Sequence, residues 1–253
     1  MKSFLIAFSM YSRLPVPQVE WDKKSLSCAL CWLPAVGAVI GAVLYGWLRL
    51  SELLSLTALR AAGAVLIPIA LSGAIHMDGF CDTCDALASR QSLERKLEIL
   101  KDSHTGAFAI ICCGVYLLVF WAAWFEVDTA STLLLALTPV LSRTLSGLAA
   151  VSWRNARGSG LLATFTEPMD GRRARWILLA HFVAAACLMA AVDLWLGGLA
   201  VGAAVLTFIY YRVAAFRQFG GITGDTEGYF LQLCECAMVL AVLAGQKVWQ
   251  LCV

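Results

Sequence analysis

Residues 58–87, ALRAAGAVLIPIALSGAIHMDGFCDTCDAL, decide the fold class of this chain. The first part, to about residue 76, is an apolar run of the length that a helix needs to cross a bilayer, which is about 20 residues. Asp78, Asp82 and Asp85 follow this run directly. An apolar run that ends in clustered acids predicts a transmembrane helix with a polar site at the membrane surface.

The rest of the chain has the same apolar character. Its 253 residues are 60% hydrophobic and 14% charged, and the mean hydropathy is +0.78, whereas soluble domains carry about 25% charged residues. A soluble core of this length would not hide so much apolar surface. We therefore predict an all-α fold, a polytopic bundle of about seven transmembrane helices. The expected spans lie near residues 28–48, 58–76, 106–125, 130–151, 174–195, 197–216 and 229–246.

The chain is expected to form a single integral-membrane domain over residues 1–253, because it shows no repeat, linker or low-complexity tract. Residues 1–20 precede the first span and are predicted to be a short interfacial leader. This leader contains SRLPVP (residues 12–17), whose two prolines stop any helix there.

The placement of Lys and Arg predicts the orientation of the bundle. If the N-terminus is cytoplasmic, nearly all of these residues lie on the cytoplasmic side, and the other side receives only Arg49, Arg60 and Lys247. We predict a multi-pass protein of the cytoplasmic (inner) membrane, with the N-terminus inside and the C-terminus outside. Gln232 and Glu235 interrupt the last span, and without that span the C-terminus is also cytoplasmic.

The cytoplasmic loops hold nearly all of the polar chemistry, so we expect an active site that faces the cytoplasm. These loops are predicted near residues 76–105, 152–173 and 217–228.

The three aspartates after residue 76 indicate a metal site. Asp78, Asp82 and Asp85 are spaced i, i+4, i+7, which places them within roughly 60° of arc on a helix. Like charges so close together repel unless something neutralises them, and hard divalent cations take oxygen ligands. Asp102 follows an amphipathic helix predicted over residues 92–101 and is a candidate fourth carboxylate. A solvated charged loop is the alternative interpretation of this segment.

Basic residues in the same loops are candidates for binding phosphate oxygens. Arg90, Lys101 and His104 belong to the first loop. Arg154 and Arg157 belong to the second, where they either clamp an anion or anchor the loop at the membrane surface.

The stretch GGITGDTEGYFLQLCE (residues 220–235) combines glycines with hydroxyl and acidic residues. Gly220, Gly221 and Gly224 allow the backbone to approach a ligand, and successive N–H groups in such a turn can cradle phosphate. Asp225 is a candidate to complete a metal shell. A plain turn would explain the glycines equally well. Glu235 lies inside a span, which marks it as functional or specifically paired.

Together these residues indicate a reaction class. Carboxylates, arginines and a glycine loop, with no Cys–His or Ser–His pairing, fit phosphoryl transfer assisted by two divalent cations. The pairs Cys28/Cys31 and Cys81/Cys84 allow a zinc or redox site as a less favoured alternative. The first pair lies in a predicted span, and the second has no His or Cys partner at the spacing of a zinc ribbon.

Four blocks of the sequence resemble, in the same order, those of the cobalamin synthase family, the adenosylcobinamide-GDP ribazoletransferases. HMDGFCDTCDAL (residues 76–87) resembles the family signature H-L-D-G-x-x-D-T-x-D-G, although Ala86 stands where the family commonly has Gly. The other three blocks are SRLPVP, KLEILKDSHTGAF (residues 96–108) and GGITGDTEGYFLQLCE.

The resemblance implies the last assembly step of the cobalamin nucleotide loop. Adenosylcobinamide-GDP is the donor, and α-ribazole or its 5′-phosphate is the acceptor. As a hypothesis, the ribose 3′-hydroxyl attacks the phosphate on the cobinamide side chain, and GMP leaves.

The resemblance also implies roles for individual residues and a Mg²⁺ cofactor. The implied magnesium ligands are Asp78, Asp82, Asp85 and Asp102. The implied catalytic residues are Asp82, Asp85, Asp225 and Lys101. The implied substrate-binding residues are His76, Arg90, Ser103, Arg13, Arg154, Arg157, Gly220, Gly221, Thr223, Gly224 and Glu235. The expected partners are the two substrates and the lipid bilayer, with a homo-oligomer and other nucleotide-loop enzymes as further possibilities and no nucleic acid.

Three alternatives stay open from the sequence. The run from Asp82 to Arg90 is also similar to the DxxDGxxAR motif of CDP-alcohol phosphotransferases. These enzymes act on CDP-activated lipids and also use aspartates and a divalent metal ion. A transporter for cations or corrinoids would place acids near the membrane midplane, whereas these acids cluster at span ends. A purely structural membrane subunit leaves the aspartates unexplained.

Overall fold

The computed structural model describes residues 1–102 and 104–252, and the described chain is helical almost throughout. It has no strand, and a single isolated bridge joins Asn155 to Ile222 in this part of the chain. The helices in chain order are α1 Lys2–Tyr11, α2 Lys23–Leu26, α3 Leu33–Leu53, α4 Thr57–Leu71, α5 Ile75–Ala88, α6 Leu93–Ile99, α7 Ala107–Glu126, α8 Thr132–Ala136, α9 Thr138–Ser152, α10 Leu161–Thr166, α11 Gly171–Val192, α12 Leu194–Phe219 and α13 Gly224–Cys252.

The helices confirm the predicted polytopic bundle. Six helical segments are long and apolar enough to cross a membrane, and the number rises to seven if α4 and α5 together form one broken span. The six segments are Lys23–Leu53, Ala107–Glu126, Thr129–Ser152, Gly171–Val192, Leu194–Phe219 and Gly224–Cys252.

The prediction of one straight helix over residues 58–76 is wrong. Helix α4 ends at Leu71, and α5 leaves it at an angle of 93°. The turn between them contains Gly73 and Ala74, whose φ angles of 67° and 62° are left-handed and therefore incompatible with a continuous α-helix. The bend aims α5, and with it the aspartates, along a different direction from α4.

Two helices form the centre of the bundle. Helix α9 packs against α3 and α11, and α13 packs against α12 and α5. Helices α7, α11 and α12 are peripheral and expose large apolar side chains such as Leu118, Trp176 and Leu206. Since these side chains have no protein partner to cover them, they form the surface that faces lipid.

The backbones of α5 and α13 are in direct contact through a glycine on each helix. A Cβ atom on Gly79 would lie 2.7 Å from the backbone oxygen of Asp225, and one on Gly228 would lie 2.7 Å from that of His76. Glycine is the one residue that allows so close an approach. The contact places the aspartates of α5 beside the first turn of α13.

The N-terminal leader is attached to the bend between α4 and α5. Helix α1 is followed by Ser12, whose backbone is extended, so the helix stops before the two prolines as the sequence predicts. The backbone N–H of Arg13 donates to the carbonyl oxygen of Leu71 at 2.7 Å. The Arg13 side chain packs against Gly73. The leader therefore supports the turn that orients α5.

Candidate active site

Helix α5 carries the three predicted aspartates on one face. Asp78 is exposed, and Asp82 and Asp85 are half-buried. Asp82 experiences the negative charges of Asp78, Asp225 and Asp85, while the positive charge of Arg157 opposes them. The structure therefore brings α5 and the start of α13 together as one acidic cluster, as the sequence predicts.

Asp85 has a second role that the sequence did not reveal. Its carboxylate oxygens accept hydrogen bonds from the backbone N–H groups of Gly106 at 2.6 Å and Ala109 at 2.8 Å. These N–H groups belong to the first turn of α7, where no intrahelical acceptor exists for them. Asp85 therefore caps α7 from a neighbouring helix and connects the acidic cluster to that span.

Asp225 and Arg157 form an ion pair at the edge of the cluster. Arg157 Nη2 donates to Asp225 Oδ2 at 2.8 Å. The loop that carries Arg157 is held beside the start of α13 by two backbone hydrogen bonds. In these bonds Ala156 N–H donates to Ile222 at 2.8 Å, and Ile222 N–H donates to Arg154 at 2.9 Å. The second and third predicted loops thus meet beside the aspartates of α5.

A cavity of about 170 Å³ lies beside this ion pair. Its polar wall includes His76, Asp78, Arg157 and Asp225, which the sequence analysis selected. The opposite wall is apolar and contains Leu30, Leu33, Ala150 and Leu231. All three predicted loop regions contribute to the lining, so the cavity brings together polar residues from distant parts of the chain.

The cavity also contains polar residues that the sequence analysis missed. Tyr11, Ser146, Asn155 and Glu227 all line it. Glu227 belongs to the glycine-rich stretch and is buried near the start of a long apolar helix. An acidic residue in such an apolar run is the sequence signal that indicates a functional role. Tyr11 and Ser146 sit in apolar surroundings and gave no such signal.

The predicted residues of the third loop divide into two groups. Thr223 and Gly224 line the cavity, while Gly220 and Gly221 form the turn between α12 and α13, with Gly221 against the backbone of Arg154. Glu235 lies further along α13, buried in an ion pair with Arg143 of α9. That pairing explains how both charges are tolerated inside the bundle, and a substrate contact for Glu235 stays a prediction.

The predicted residues in the later part of the first loop, after α5, lie at the surface. Arg90, Lys101 and Asp102 are exposed, and Arg154 of the second loop is exposed as well. Asp102 accepts hydrogen bonds from the backbone N–H and the imidazole of His104, and these bonds lower the pKa of the Asp102 carboxyl. Ser103, a predicted substrate contact, lies outside the described residues.

The donor chemistry of the cluster fits Mg²⁺. Carboxylate oxygens are the ligands that this ion prefers, and the mutual repulsion around half-buried Asp82 is the kind that a divalent cation relieves. Within residues 1–102 and 104–252, no three His, Cys, Asp or Glu side chains converge closely enough to hold a metal ion.

Fold and site define a class: a polytopic membrane protein whose carboxylates and arginine converge on an internal cavity. The family model described as cobalamin-5-phosphate synthase matches residues 3–243. The chain belongs to this family, which confirms the resemblance identified from the four sequence blocks.

Relatives from several bacteria match over nearly their whole length. The adenosylcobinamide-GDP ribazoletransferase of Lachnoclostridium phytofermentans is 44% identical, and the match covers 98% of this chain and 95% of the relative. The enzyme of the same name from Pseudomonas putida is 35% identical over 97% of this chain and 100% of the relative. One from Clostridium perfringens is 34% identical over 94% and 96%, respectively. No solved structure matches the chain.

Proposed function

We propose that this protein is an adenosylcobinamide-GDP ribazoletransferase. It transfers the adenosylcobinamide-phosphate group from adenosylcobinamide-GDP to α-ribazole or its 5′-phosphate and releases GMP. Family membership supports the activity. The cavity is the main evidence for the site, because Asp78 of α5, Arg157 of the loop after α9 and Asp225 of α13 meet on its wall.

Asp78 and Asp82 are the proposed principal ligands of Mg²⁺. Asp78 is exposed at the cavity, and Asp82 lies at the centre of the acidic cluster. Asp85 already accepts two backbone hydrogen bonds, and Asp102 is bound to His104, so both would contribute as ligands only in addition to these contacts. A bound Mg²⁺ would neutralise the diphosphate and lower the pKa of an attacking hydroxyl.

Arg157 is the proposed main contact to the donor diphosphate. One nitrogen of its guanidinium binds Asp225, and its Nε has no partner among the described residues. A guanidinium held in this way offers further N–H donors to phosphate oxygens. Asp225 or an aspartate of α5 would accept the proton of the attacking hydroxyl. The exposed residues Arg90, Lys101 and Arg154 would bind the outer part of the donor.

We further propose that the protein lies in the cytoplasmic membrane with its N-terminus and active site on the cytoplasmic side. The asymmetric placement of Lys and Arg supports this orientation. The contact of the leader with the bend before α5 also supports it, because Arg13 of the leader binds the segment that leads into the helix of aspartates. Association into a homo-oligomer or with other nucleotide-loop enzymes stays a prediction.

The experiment that tests the function measures GMP release by the detergent-purified protein. Adenosylcobinamide-GDP and α-ribazole 5′-phosphate are supplied with and without Mg²⁺. We expect GMP release that requires both the acceptor and Mg²⁺. A folded protein that releases no GMP but releases CMP from a CDP-activated lipid would instead be a CDP-alcohol phosphotransferase.

A further inference from the structure

Two buried side chains on the cavity wall have polar atoms without a partner. Glu227 and His76 are 7% and 6% exposed. Glu227 Oε1 and His76 Nδ1 have no hydrogen-bond partner within the described part of the chain. Both residues line the cavity beside the Asp225–Arg157 pair.

The other oxygen of Glu227 is fixed in place. Ser146 Oγ on α9 donates to Glu227 Oε2 at 2.5 Å. The hydroxyl of Tyr211 lies close to Glu227, and it pairs with Thr226 Oγ1 at 3.2 Å. Glu227 therefore cannot turn away to find another partner without losing the bond from Ser146. A buried carboxyl oxygen without a hydrogen-bond partner is costly, and its place on the cavity wall points to a partner supplied by a ligand.

The size and walls of the cavity select among the substrates. A corrinoid that carries a nucleoside diphosphate is far larger than this partly open cavity of about 170 Å³. The acceptor is a nucleoside with a flat, apolar base and a ribose that carries hydroxyl donors. An apolar wall suits such a base, and a fixed carboxylate suits the ribose hydroxyls.

We propose that this cavity is the binding subsite for the acceptor nucleoside and that Glu227 recognises its ribose 2′-hydroxyl. The base packs against Leu30, Leu33 and Leu231, and the 2′-hydroxyl donates to Glu227 Oε1. The neighbouring 3′-hydroxyl then points to the rim formed by Asp225 and Arg157, where the donor diphosphate binds. His76 supplies a second polar atom on the cavity wall. This assignment rests on the proposed function, because it takes the acceptor from that reaction.

The test measures binding of α-ribazole and of 2′-deoxy-α-ribazole by calorimetry, without the donor. For the wild-type protein we expect the deoxy compound to bind about tenfold more weakly, the effect of losing one buried hydrogen bond. Glu227→Leu should bind both compounds with the same, weakened affinity. Glu227→Met removes both oxygens, keeps a side chain of similar length and provides a second variant if the leucine variant does not fold.

The matched control is Glu126→Gln, which alters an exposed glutamate that pairs with Lys247. It should discriminate between the two compounds as the wild type does. The subsite assignment is overturned if wild-type protein does not bind α-ribazole, or if both Glu227 variants still prefer it over the deoxy compound. GMP release is a separate readout. If the protein binds α-ribazole and needs Glu227 to discriminate against the deoxy compound, but releases no GMP, the proposed reaction is contradicted and the subsite is still supported.

Discussion

Replacing Gly79 by alanine should separate α5 from α13 and thereby disable the site. The added Cβ would lie 2.7 Å from the backbone oxygen of Asp225, whereas ordinary contacts begin near 3.4 Å. Since the obstacle is backbone and not a flexible side chain, α5 must move outward by about 0.7 Å. Overpacking of this kind costs about 1–3 kcal/mol. A misplacement of catalytic groups by about 1 Å can lower the rate about 100-fold.

The assay for Gly79→Ala combines the initial rate of GMP release with thermal unfolding in detergent. Gly114→Ala on α7 is the matched control, because a Cβ there meets no atom. Both substitutions raise helix propensity by a similar amount, so the control isolates the steric effect. We expect Gly114→Ala to keep the wild-type rate and melting temperature. A Gly79→Ala protein with an unchanged rate would refute the argument that this contact positions the aspartates.

Three further substitutions separate the roles of buried and half-buried charges. Asp82→Asn should leave the protein folded, with an unchanged melting temperature, and without measurable GMP release; an active variant would contradict the assignment of Asp82 as a metal ligand. Asp85→Asn should lower both activity and stability, the latter by about 1–2 kcal/mol, because it weakens the cap on α7; equal stability of the two variants in thermal unfolding would contradict the capping role. Arg143→Met should destabilise the protein by about 3–5 kcal/mol, because it leaves Glu235 unpaired. Adding Glu235→Met should restore most of the lost stability. A double variant as unstable as the single one would show that the unpaired charge does not cause the loss.

The sequence predicts the bundle well because its signals are local. Apolar runs of sufficient length mark each span whatever their neighbours are. The period of 3.6 residues places the aspartates of α5 on one face, and the structure confirms that α5 is a helix. The amphipathic helix predicted near residues 92–101 is α6. Ser92 is its N-cap, and the Ser92 side chain accepts a hydrogen bond from the backbone N–H of Arg95.

The features that escaped prediction depend on contacts between distant segments. The bend at Gly73 is stabilised by Arg13, and no local signal connects two residues so far apart in the chain. The capping of α7 by Asp85 requires knowledge of how α5 and α7 pack. Glu227 was overlooked because its importance comes from the cavity that it lines, and a cavity between helices has no signature in a single segment.

The ion pair between Arg143 and Glu235 has a consequence for the biogenesis of the protein. The two residues are separated by 92 positions, so Arg143 enters the bilayer well before the last helix is synthesised. An unpaired arginine at the centre of a span costs about 2.5–3.5 kcal/mol on insertion scales. Until α13 arrives, α9 is the weak point of the nascent bundle. The C-terminal helix therefore supplies the negative charge that neutralises Arg143, and a chain that ends before Glu235 leaves this arginine unpaired inside the bundle.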